Sequence, residues 1–290
     1  MNLKKELLMP EFLHPLWHGF LDTLKAIPFL FLAYFLMELI EHRASEKMER
    51  SLKKLGNGGP FLGSLLGCVP QCGFSSSASN LYTAGVVTEG TLIAIFLATS
   101  DEAIPILLAN PQAYGSIWKL IASKIIIGII IGFGVDIVLR LLKIQKVTVD
   151  MCRDCGCDEE EGALKPALIH TAKTSLFILI VNIIIGYAIH FIGEESLNSL
   201  LLSGNYAQPF ITALVGLIPN CAISSAMTTL YINGSLSFGA TLAGLCSGAG
   251  VGLAVLLKAN PVKCENLRII LTLYVSSSLI GVLLMLLGIN

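Results

Sequence analysis

A short motif that combines a proline, a cysteine and paired serines occurs twice in this chain. The first copy begins at residue 70 and the second at residue 219. A proline inside apolar sequence kinks or ends a helix, because it lacks an N–H and its ring collides with the carbonyl four residues earlier. Backbone groups released by such a break can bind a solute at membrane depth. The predicted substrate-binding residues of the two copies are Pro70, Gln71, Cys72, Ser75, Ser76, Pro219, Asn220, Cys221, Ser224 and Ser225.

Each residue type in this motif also has an ordinary structural role. Serine and threonine commonly satisfy contacts between membrane helices, and a buried cysteine is more often a small apolar side chain than a ligand. The recurrence of the whole motif in both halves of the chain favours a site over these separate roles.

Two carboxylates, Asp101 and Glu102, lie deep in an apolar stretch and shortly before Pro105. A charge at membrane depth costs at least about 2.5–3.5 kcal/mol and usually marks the path of an ion or a proton. The second half has only small and apolar residues, 247–252, in the corresponding region. We predict that Asp101 and Glu102 bind substrate or coupling protons. The alternative is that they lie near an outer surface and are solvated.

Three thiols, Cys152, Cys155 and Cys157, lie close together in an acidic polar segment between the halves. Clustered thiolates suit a thiophilic cation or a trivalent metalloid, so we predict that they capture or sense a metal. The spacing supplies only half of a four-cysteine zinc site, and a disordered acidic loop is the alternative.

Other charges inside apolar sequence are interpreted as structural. Lys124 is predicted to snorkel outward to a membrane surface. Asp136 and Arg140 are four positions apart, which predicts an ion pair on one face of a helix.

Lipid is the predicted solvent for most of the chain. Hydrophobic residues make up 54% of it and charged residues 13%, about half of the roughly 25% expected of a soluble domain. The net charge of −1 is too small to indicate a nucleic-acid partner. A helix needs about 20 apolar residues to cross a bilayer. Stretches of this kind run approximately over residues 23–41, 61–83, 88–109, 117–141, 168–192, 207–233, 236–257 and 267–288.

The chain divides into two similar halves. Residues 1–142 form the first predicted transmembrane repeat, 143–166 a cytoplasmic linker and 167–290 the second repeat. The loop after the first span is rich in Lys and Arg, whereas its counterpart carries Glu194 and Glu195 and no basic residue. Because basic loops favour the cytoplasmic side, the two halves are predicted to have opposite orientations.

Halves of opposite orientation need an odd number of crossings each. We therefore predict that the stretches 61–83 and 207–233 do not cross, and that each forms a re-entrant or broken helix at its proline. The predicted fold is an all-α polytopic membrane protein with two inverted-topology repeats, each of about three spanning helices plus a re-entrant or broken helix. An ordinary eight-span bundle is the alternative.

The chain resembles the heavy-metal exporter family of ArsP-like permeases, whose members carry names such as arsenic efflux protein and manganese transporter. The resemblance lies in the Gly-x-x-Pro-x-Cys segments at 67–72 and 216–221, in the Asp-Glu-x-x-Pro-x-Leu-Leu-Ala segment at 101–109, and in the duplicated layout. It implies a secondary exporter of a metal or metalloid at the inner membrane. Families of this kind have more membrane spans than this chain has apolar stretches. The difference disappears if each broken segment is counted as two spans.

These observations predict a permease that exports a heavy metal or metalloid, such as an arsenical or manganese, by alternating access. Carboxylates at Asp101 and Glu102 suit a hard ion, whereas Cys72 and Cys221 suit a soft one. The sequence contains no Gly-x-x-x-x-Gly-Lys nucleotide-binding loop, so coupling to protons is predicted in place of an intrinsic ATPase. We expect neither a cofactor nor enzymatic activity. The alternatives are a membrane-embedded thiol redox enzyme, using Cys68, Cys72 or Cys221, and a permease for a small organic solute.

Overall fold

The computed structural model describes residues 58–68, 72–99, 103–110, 113–143, 164–192 and 207–288, and parts of the segment between residues 16 and 35. The described part of the chain is helical and contains no strand, in agreement with the predicted all-α class. Of Cys72 and Cys221 only the backbone is described. The predicted site residues that lie outside the described residues are Pro70, Gln71, Asp101, Glu102, Cys152, Cys155 and Cys157.

The helices of the two halves follow one another in the same order. Helix α6 begins the second half, and helical residues between 16 and 35 precede α1 in the first half. Gly59 and Gln208, the first residues of α1 and α7, are 149 positions apart, and the same interval separates α2 from α8 and α3 from α9. The helices are α1 (Gly59–Gly67), α2 (Cys72–Thr83), α3 (Glu89–Ala98), α4 (Ala103–Ala109), α5 (Tyr114–Leu141), α6 (Leu164–Ile192), α7 (Gln208–Gly216), α8 (Cys221–Ile232), α9 (Phe238–Ser247), α10 (Val251–Ala259) and α11 (Lys263–Leu286).

Side-chain caps start the central helix of each half. Thr88 precedes α3, and its Oγ1 accepts a hydrogen bond from Thr91 N at 3.1 Å. Ser237 precedes α9, and its Oγ accepts from Ala240 N at 3.2 Å. Such caps satisfy an N–H group that the first turn of a helix leaves without a partner. The local sequence therefore fixes the start of both helices.

In the sequence, the repeated proline of each half falls between the last residue of one helix and the first residue of the next. Residues 68–71 separate α1 from α2, and residues 217–220 separate α7 from α8. Pro70 belongs to the first gap and Pro219 to the second. Neither gap is compatible with a helix that runs on through its proline.

The third apolar stretch of each half, which is long enough to span a bilayer, consists of two helices. Residues 99–102 separate α3 from α4, and residues 248–250 separate α9 from α10. Gly250 has a φ of 54°, a left-handed conformation that favours glycine. In the first half, a helix that continued from α3 through Pro105 would place the carbonyl four residues earlier against the proline ring, so a continuous helix is disfavoured.

Glycines allow the central helix of each half to pack closely against its neighbours. Helix α3 packs against α1 and α5, and α9 packs against α7 and α11. All residues of α3 and α9 are buried. A Cβ on Gly90 would lie 2.1 Å from Gly132 O, and one on Gly239 would lie 2.6 Å from Gly281 O. These backbones are too close together for any larger residue.

The two halves also contact one another through their short helices. Helix α2 packs against α10, and α8 packs against α4. Ser79 on α2 donates a hydrogen bond from Oγ to the carbonyl of Gly252 on α10 at 2.7 Å. The helix that follows each proline gap is thus held by the opposite half.

Three described segments are long and apolar enough to cross a membrane: Tyr114–Leu141, Phe238–Ala259 and Lys263–Leu286. The most apolar part of the middle segment, which comprises α9 and α10, is 83% buried. The corresponding parts of the other two segments are 22% and 33% buried. The outer segments expose large apolar side chains, among them Ile130 and Leu279. Such continuous apolar surface suits contact with lipid.

Candidate functional site

A small cavity lies where helix interruptions of the two halves meet. Its volume is about 20 Å³, which is room for about one water molecule. Thr99, directly after α3, contributes from the first half, and all other lining residues come from the second half. The cavity therefore joins the end of α3 to the gap between α7 and α8 and to the gap between α9 and α10. It is lined by Thr99, Gly216, Ile218, Asn220, Ile223, Ser224, Met227, Gly244, Leu245, Gly248 and Gly250.

The Lys124 side chain of α5 is fully buried beside this cavity. Its Nζ donates to the carbonyl oxygens of Thr99 and Leu245, the second at 2.6 Å. Both carbonyls lie at the C-terminal ends of helices, α3 and α9, where the backbone leaves acceptors without a helical partner. The prediction that Lys124 snorkels outward is therefore wrong, because two helix ends supply the polar contacts that water would otherwise provide.

Two thiols share the surroundings of Lys124. Cys68 directly follows α1, and its Sγ donates to Ser64 O at 3.4 Å. Cys246 lies on α9 and is buried. Both thiols lie within electrostatic range of the Lys124 ammonium and of each other. Cys246 was not recognised as a site residue from the sequence, because its proximity to Lys124 depends on the packing of α9 against α5.

The second copy of the repeated motif contributes directly to the cavity. Asn220 and Ser224 are among its lining residues. Pro219 lies in the gap before α8 and Ser225 lies on α8; both are half-buried and outside the cavity lining. Cys221 is the first residue of α8. The structure thus brings together two of the predicted residues from this copy.

The first copy lies at the contact between the two halves. Ser75 and Ser76 are fully buried on α2, which begins at Cys72. A Cβ on Gly252 of α10 would lie only 2.7 Å from the carbonyl carbon of Ser75. Ser75 therefore packs against the broken helix of the other half and does not line the cavity.

A second polar cluster ties α2 and α3 to α11. Arg268 binds both carboxylate oxygens of Glu89, with Nε donating to Oε1 at 2.8 Å. The hydroxyl of Tyr82 donates to Glu265 Oε2 at 3.0 Å, and Asn260 Nδ2 donates to the same oxygen at 3.2 Å. Both carboxylates are buried, and a buried charge is costly unless it is paired or hydrogen-bonded. Its members are distant along the chain, so the sequence alone did not indicate this cluster.

Asp136 has a structural role at the start of α3. Its carboxylate accepts hydrogen bonds from Gly90 N at 2.9 Å and from Thr88 Oγ1 at 2.7 Å. The predicted partner Arg140 interacts with Asp136 electrostatically, but the hydrogen bonds of the carboxylate go to α3. A negative charge at the start of a helix is stabilised by the helix dipole, so Asp136 anchors α3 to α5.

Among the described residues, no group of three His, Cys, Asp or Glu side chains is arranged to hold a metal ion. The model of a family described as "Putative, 10TM heavy-metal exporter" matches residues 16–197 and 173–288 of the chain. No curated protein and no solved structure gives a significant match. The two matched segments together cover most of the sequence, and the chain belongs to this heavy-metal exporter family.

Proposed function

We propose that this protein is a secondary transporter that exports a heavy metal or metalloid across the inner membrane, driven by protons and working by alternating access between two inverted repeats. One observation carries the proposal: helix interruptions from both halves converge on a cavity beside a buried ammonium. Broken helices at membrane depth are tolerated where they line such a cavity, and they present backbone groups to a solute. The family description supports the class of cargo.

Equivalent contacts within the two halves support the repeats. A Cβ on Gly67 would lie 2.7 Å from Ile95 O, and one on Gly216 would lie 2.2 Å from Gly244 O. The second pair follows the first by 149 positions, from 67 to 216 and from 95 to 244. The same backbone approach thus recurs between α1 and α3 and between α7 and α9.

Contacts between the halves are reciprocal, as a twofold relation between repeats requires. Helix α2 packs against α10, while its equivalent α8 packs against α4, the equivalent of α10. Tyr82 hydrogen-bonds to Glu265, and Tyr231 hydrogen-bonds to Ser116 at 2.8 Å. An interval of 149 positions relates both members, from 82 to 231 and from 116 to 265.

The charges of the loops support an inverted relation. The segment after the first span contains Arg43, Lys47 and Arg50, whereas the equivalent segment of the second half contains Glu194 and Glu195. Because Lys and Arg favour the cytoplasmic side, the equivalent segments are assigned to opposite sides. The linker at 143–166 is assigned to the cytoplasm on the same basis.

The substrate site combines the cavity with the motif residues next to it in the chain. Asn220 and Ser224 line the cavity and offer oxygen ligands. Asp101 and Glu102 follow the cavity-lining Thr99 by two and three positions. Carboxylates favour a hard divalent ion, whereas the thiol of Cys72 and its counterpart in the second motif favour a soft metalloid.

Export is tested in cells that lack their own metal exporters. Accumulation of manganese, zinc, arsenite and methylated arsenicals is measured with the parent protein and with Asp101→Asn, Cys72→Ser and Asn220→Ala. Gly134→Ala is the matched control, since a Cβ at this position would contact nothing within 4 Å. We expect the parent and the control to lower accumulation of one species. Asp101→Asn and Asn220→Ala should abolish this effect.

The identity of the exported species and the effect of Cys72→Ser on its export together identify the chemistry of the substrate site. Loss of export in Cys72→Ser indicates a soft substrate, and retention of export indicates a hard one. Unchanged accumulation of every species with the parent protein overturns metal export. That result would favour the permease for a small organic solute.

The linker cysteines are proposed to capture metal on the cytoplasmic side. Cys152, Cys155 and Cys157 lie within six positions of one another, a spacing at which one trivalent metalloid or soft cation can bind several thiolates. Replacing all three by serine should lower the external arsenite or zinc concentration that stops growth, but by less than Asp101→Asn lowers it. An identical loss of tolerance in both variants would place the thiols in the transport path itself.

A further inference from the structure

An ion pair and a hydrogen bond join the two halves at the start of α3. Glu89 is the first residue of α3, and both of its carboxylate oxygens accept from Arg268, in the second turn of α11. Beside this pair, the hydroxyl of Tyr82 on α2 donates to Glu265 of α11 at 3.0 Å. Tyr82 and Glu89 belong to the first half, whereas Glu265 and Arg268 belong to the second. We call these four residues the charged junction.

The second half holds Glu265 in place by itself. Asn260 Nδ2 donates to Glu265 Oε2 at 3.2 Å and to Asn266 Oδ1 at 2.9 Å. Asn266 Nδ2 in turn donates to Asn260 O at 2.9 Å. All three side chains are buried. The contacts with the first half can therefore break while the carboxylate of Glu265 keeps its position.

The equivalent contact at the start of α9 is neutral. Phe238 and Ser116 occupy the positions equivalent to the two carboxylates of the charged junction, at the same interval of 149. Tyr231 hydrogen-bonds to Ser116 at 2.8 Å, and the centre of its ring lies 6.0 Å from that of Phe238. The equivalent of the arginine is Lys119, which is exposed. One contact between the halves is thus charged, and its counterpart is aromatic.

The cavity lies one helix length from each of these contacts. Helix α3 begins at the charged junction and is followed by Thr99, which lines the cavity. Helix α9 begins at Phe238 and is followed by Gly248, which lines the same cavity. Each helix has ten residues, a length of about 15 Å. The two contacts can therefore close the cavity from two different directions.

Basic residues favour the cytoplasmic side for the charged junction. Residues 258–268 contain Lys258, Lys263 and Arg268, whereas the equivalent residues 109–119 contain only Lys119. Because Lys and Arg are enriched on the cytoplasmic side of a membrane, the charged junction is assigned to that side and the aromatic contact to the outer side.

A charged contact can open to water at little cost. Burying a carboxylate and a guanidinium removes both from water, and this loss of hydration roughly offsets their attraction. When the halves separate, water hydrates both charges again. Separating an apolar contact would instead expose apolar surface, which costs free energy in proportion to its area. The charged junction is therefore suited to a contact that opens and closes repeatedly.

We propose that the charged junction is the cytoplasmic gate of the exporter. Its ion pair and its hydrogen bond between the halves close the cavity to the cytoplasm, and both break when the site opens to load substrate. This inference rests on the proposed function, export by alternating access, and assigns the residues that control access from one side. The gate is closed in the structure, since Arg268 binds Glu89 and Tyr82 binds Glu265.

The test measures from which side of the membrane the cavity is reached. Ile223 lines the cavity and is buried, so a full-length protein with Ile223→Cys serves as the reporter. A small, membrane-impermeant thiol reagent is added to sealed vesicles of either orientation. Mass spectrometry then measures labelling at residue 223 separately from labelling at the native cysteines.

Glu89→Gln and Arg268→Gln, each in the reporter protein, leave one charge of the gate without its partner, which destabilises the closed state. Labelling from the cytoplasmic side should become faster by at least about tenfold, and labelling from the outside should become slower. Tyr231→Phe is the matched variant at the aromatic contact and should act in the opposite direction, with labelling from the outside faster by about 2–10-fold. Exchanging the two charges, with Glu89→Arg and Arg268→Glu together, should return both rates toward those of the reporter.

Faster labelling from both sides in the charge variants would overturn the proposal, because it would show that the ion pair only stabilises the fold. Unchanged labelling would overturn it too, and faster labelling from the outside alone would refute a gate on the cytoplasmic side. Size-exclusion elution checks the fold of each variant. If neither Glu89→Gln nor Arg268→Gln folds, the milder Tyr82→Phe decides by the same measurement. A parent that exports no metal refutes the export function itself, whereas an exporting parent whose charge variants show no preference for one side refutes this inference alone.

Discussion

Replacing Gly252 by alanine should push the two halves apart where α10 packs against α2. The added Cβ would lie 2.7 Å from the carbonyl carbon of Ser75 and 2.8 Å from its Cβ and carbonyl oxygen. Carbon atoms in contact are about 3.5–4.0 Å apart, so α10 and α2 must move apart by roughly 0.8–1.3 Å. The obstructing atoms belong mainly to backbone, which cannot rotate away as a flexible side chain can.

The expected cost combines three effects. Overpacking of this kind costs about 1–3 kcal/mol, and lengthening the hydrogen bond from Ser79 to Gly252 O adds about 1 kcal/mol. Alanine is better than glycine in a helix by about 1 kcal/mol, which offsets part of the loss. We expect Gly252→Ala to lower the free energy of unfolding by about 2 kcal/mol, which corresponds to a melting temperature lower by about 4–8 °C.

Thermal unfolding of the purified protein in detergent measures this loss, with export by cells as the second readout. Gly134→Ala on α5 is the matched control, because the same substitution there meets no atom within 4 Å and should gain up to about 1 kcal/mol from helix propensity. Export should fall in Gly252→Ala, since α2 carries Ser75 and begins at Cys72. A melting temperature for Gly252→Ala equal to that of Gly134→Ala would refute the close packing of α2 on α10.

Further substitutions test the polar contacts. Asp136→Ala removes the acceptor of two donors at the start of α3, so thermal unfolding should show a loss of about 2–4 kcal/mol; parental stability would contradict the cap. Tyr82→Phe removes a hydrogen bond to the buried carboxylate of Glu265, with an expected loss of about 1.5–3 kcal/mol. Tyr231→Phe removes the equivalent bond to the neutral Ser116 and should cost only about 0.5–1.5 kcal/mol. A larger loss of stability for Tyr231→Phe than for Tyr82→Phe, measured by denaturant titration, would show that the Glu265 carboxylate does not depend on the hydrogen bond from Tyr82.

Features that depend on local chemistry were predictable from the sequence. Apolar stretches indicated an all-helical membrane protein, and the described part of the chain is helical. The asparagine and first serine of the second motif, Asn220 and Ser224, line the cavity, and their role in substrate binding stays a prediction.

Features that depend on contacts between distant elements were not predictable in the same way. Glycines in membrane helices usually serve close packing, so nothing in the sequence indicated that Gly250 would adopt a left-handed conformation. Lys124 was interpreted by itself, whereas its burial depends on the ends of α3 and α9. One signal was available, since Lys124 lies well inside the 28-residue helix α5 and snorkelling is usual near helix ends.

The burial of the segment formed by α9 and α10 has a consequence for how the protein is made. This segment is apolar enough to enter a bilayer, yet in the finished protein it has exchanged lipid for protein on most of its surface. Lipid tails are as apolar as leucine, so the exchange is driven by tight packing and hydrogen bonds, such as Thr212 Oγ1 to Ala240 O at 2.7 Å. The contact of α10 with α2 comes from the first half. A second half synthesised without the first would therefore leave the face of α10 that α2 covers exposed to lipid, so the tight packing of this segment is complete only when the two halves assemble with each other.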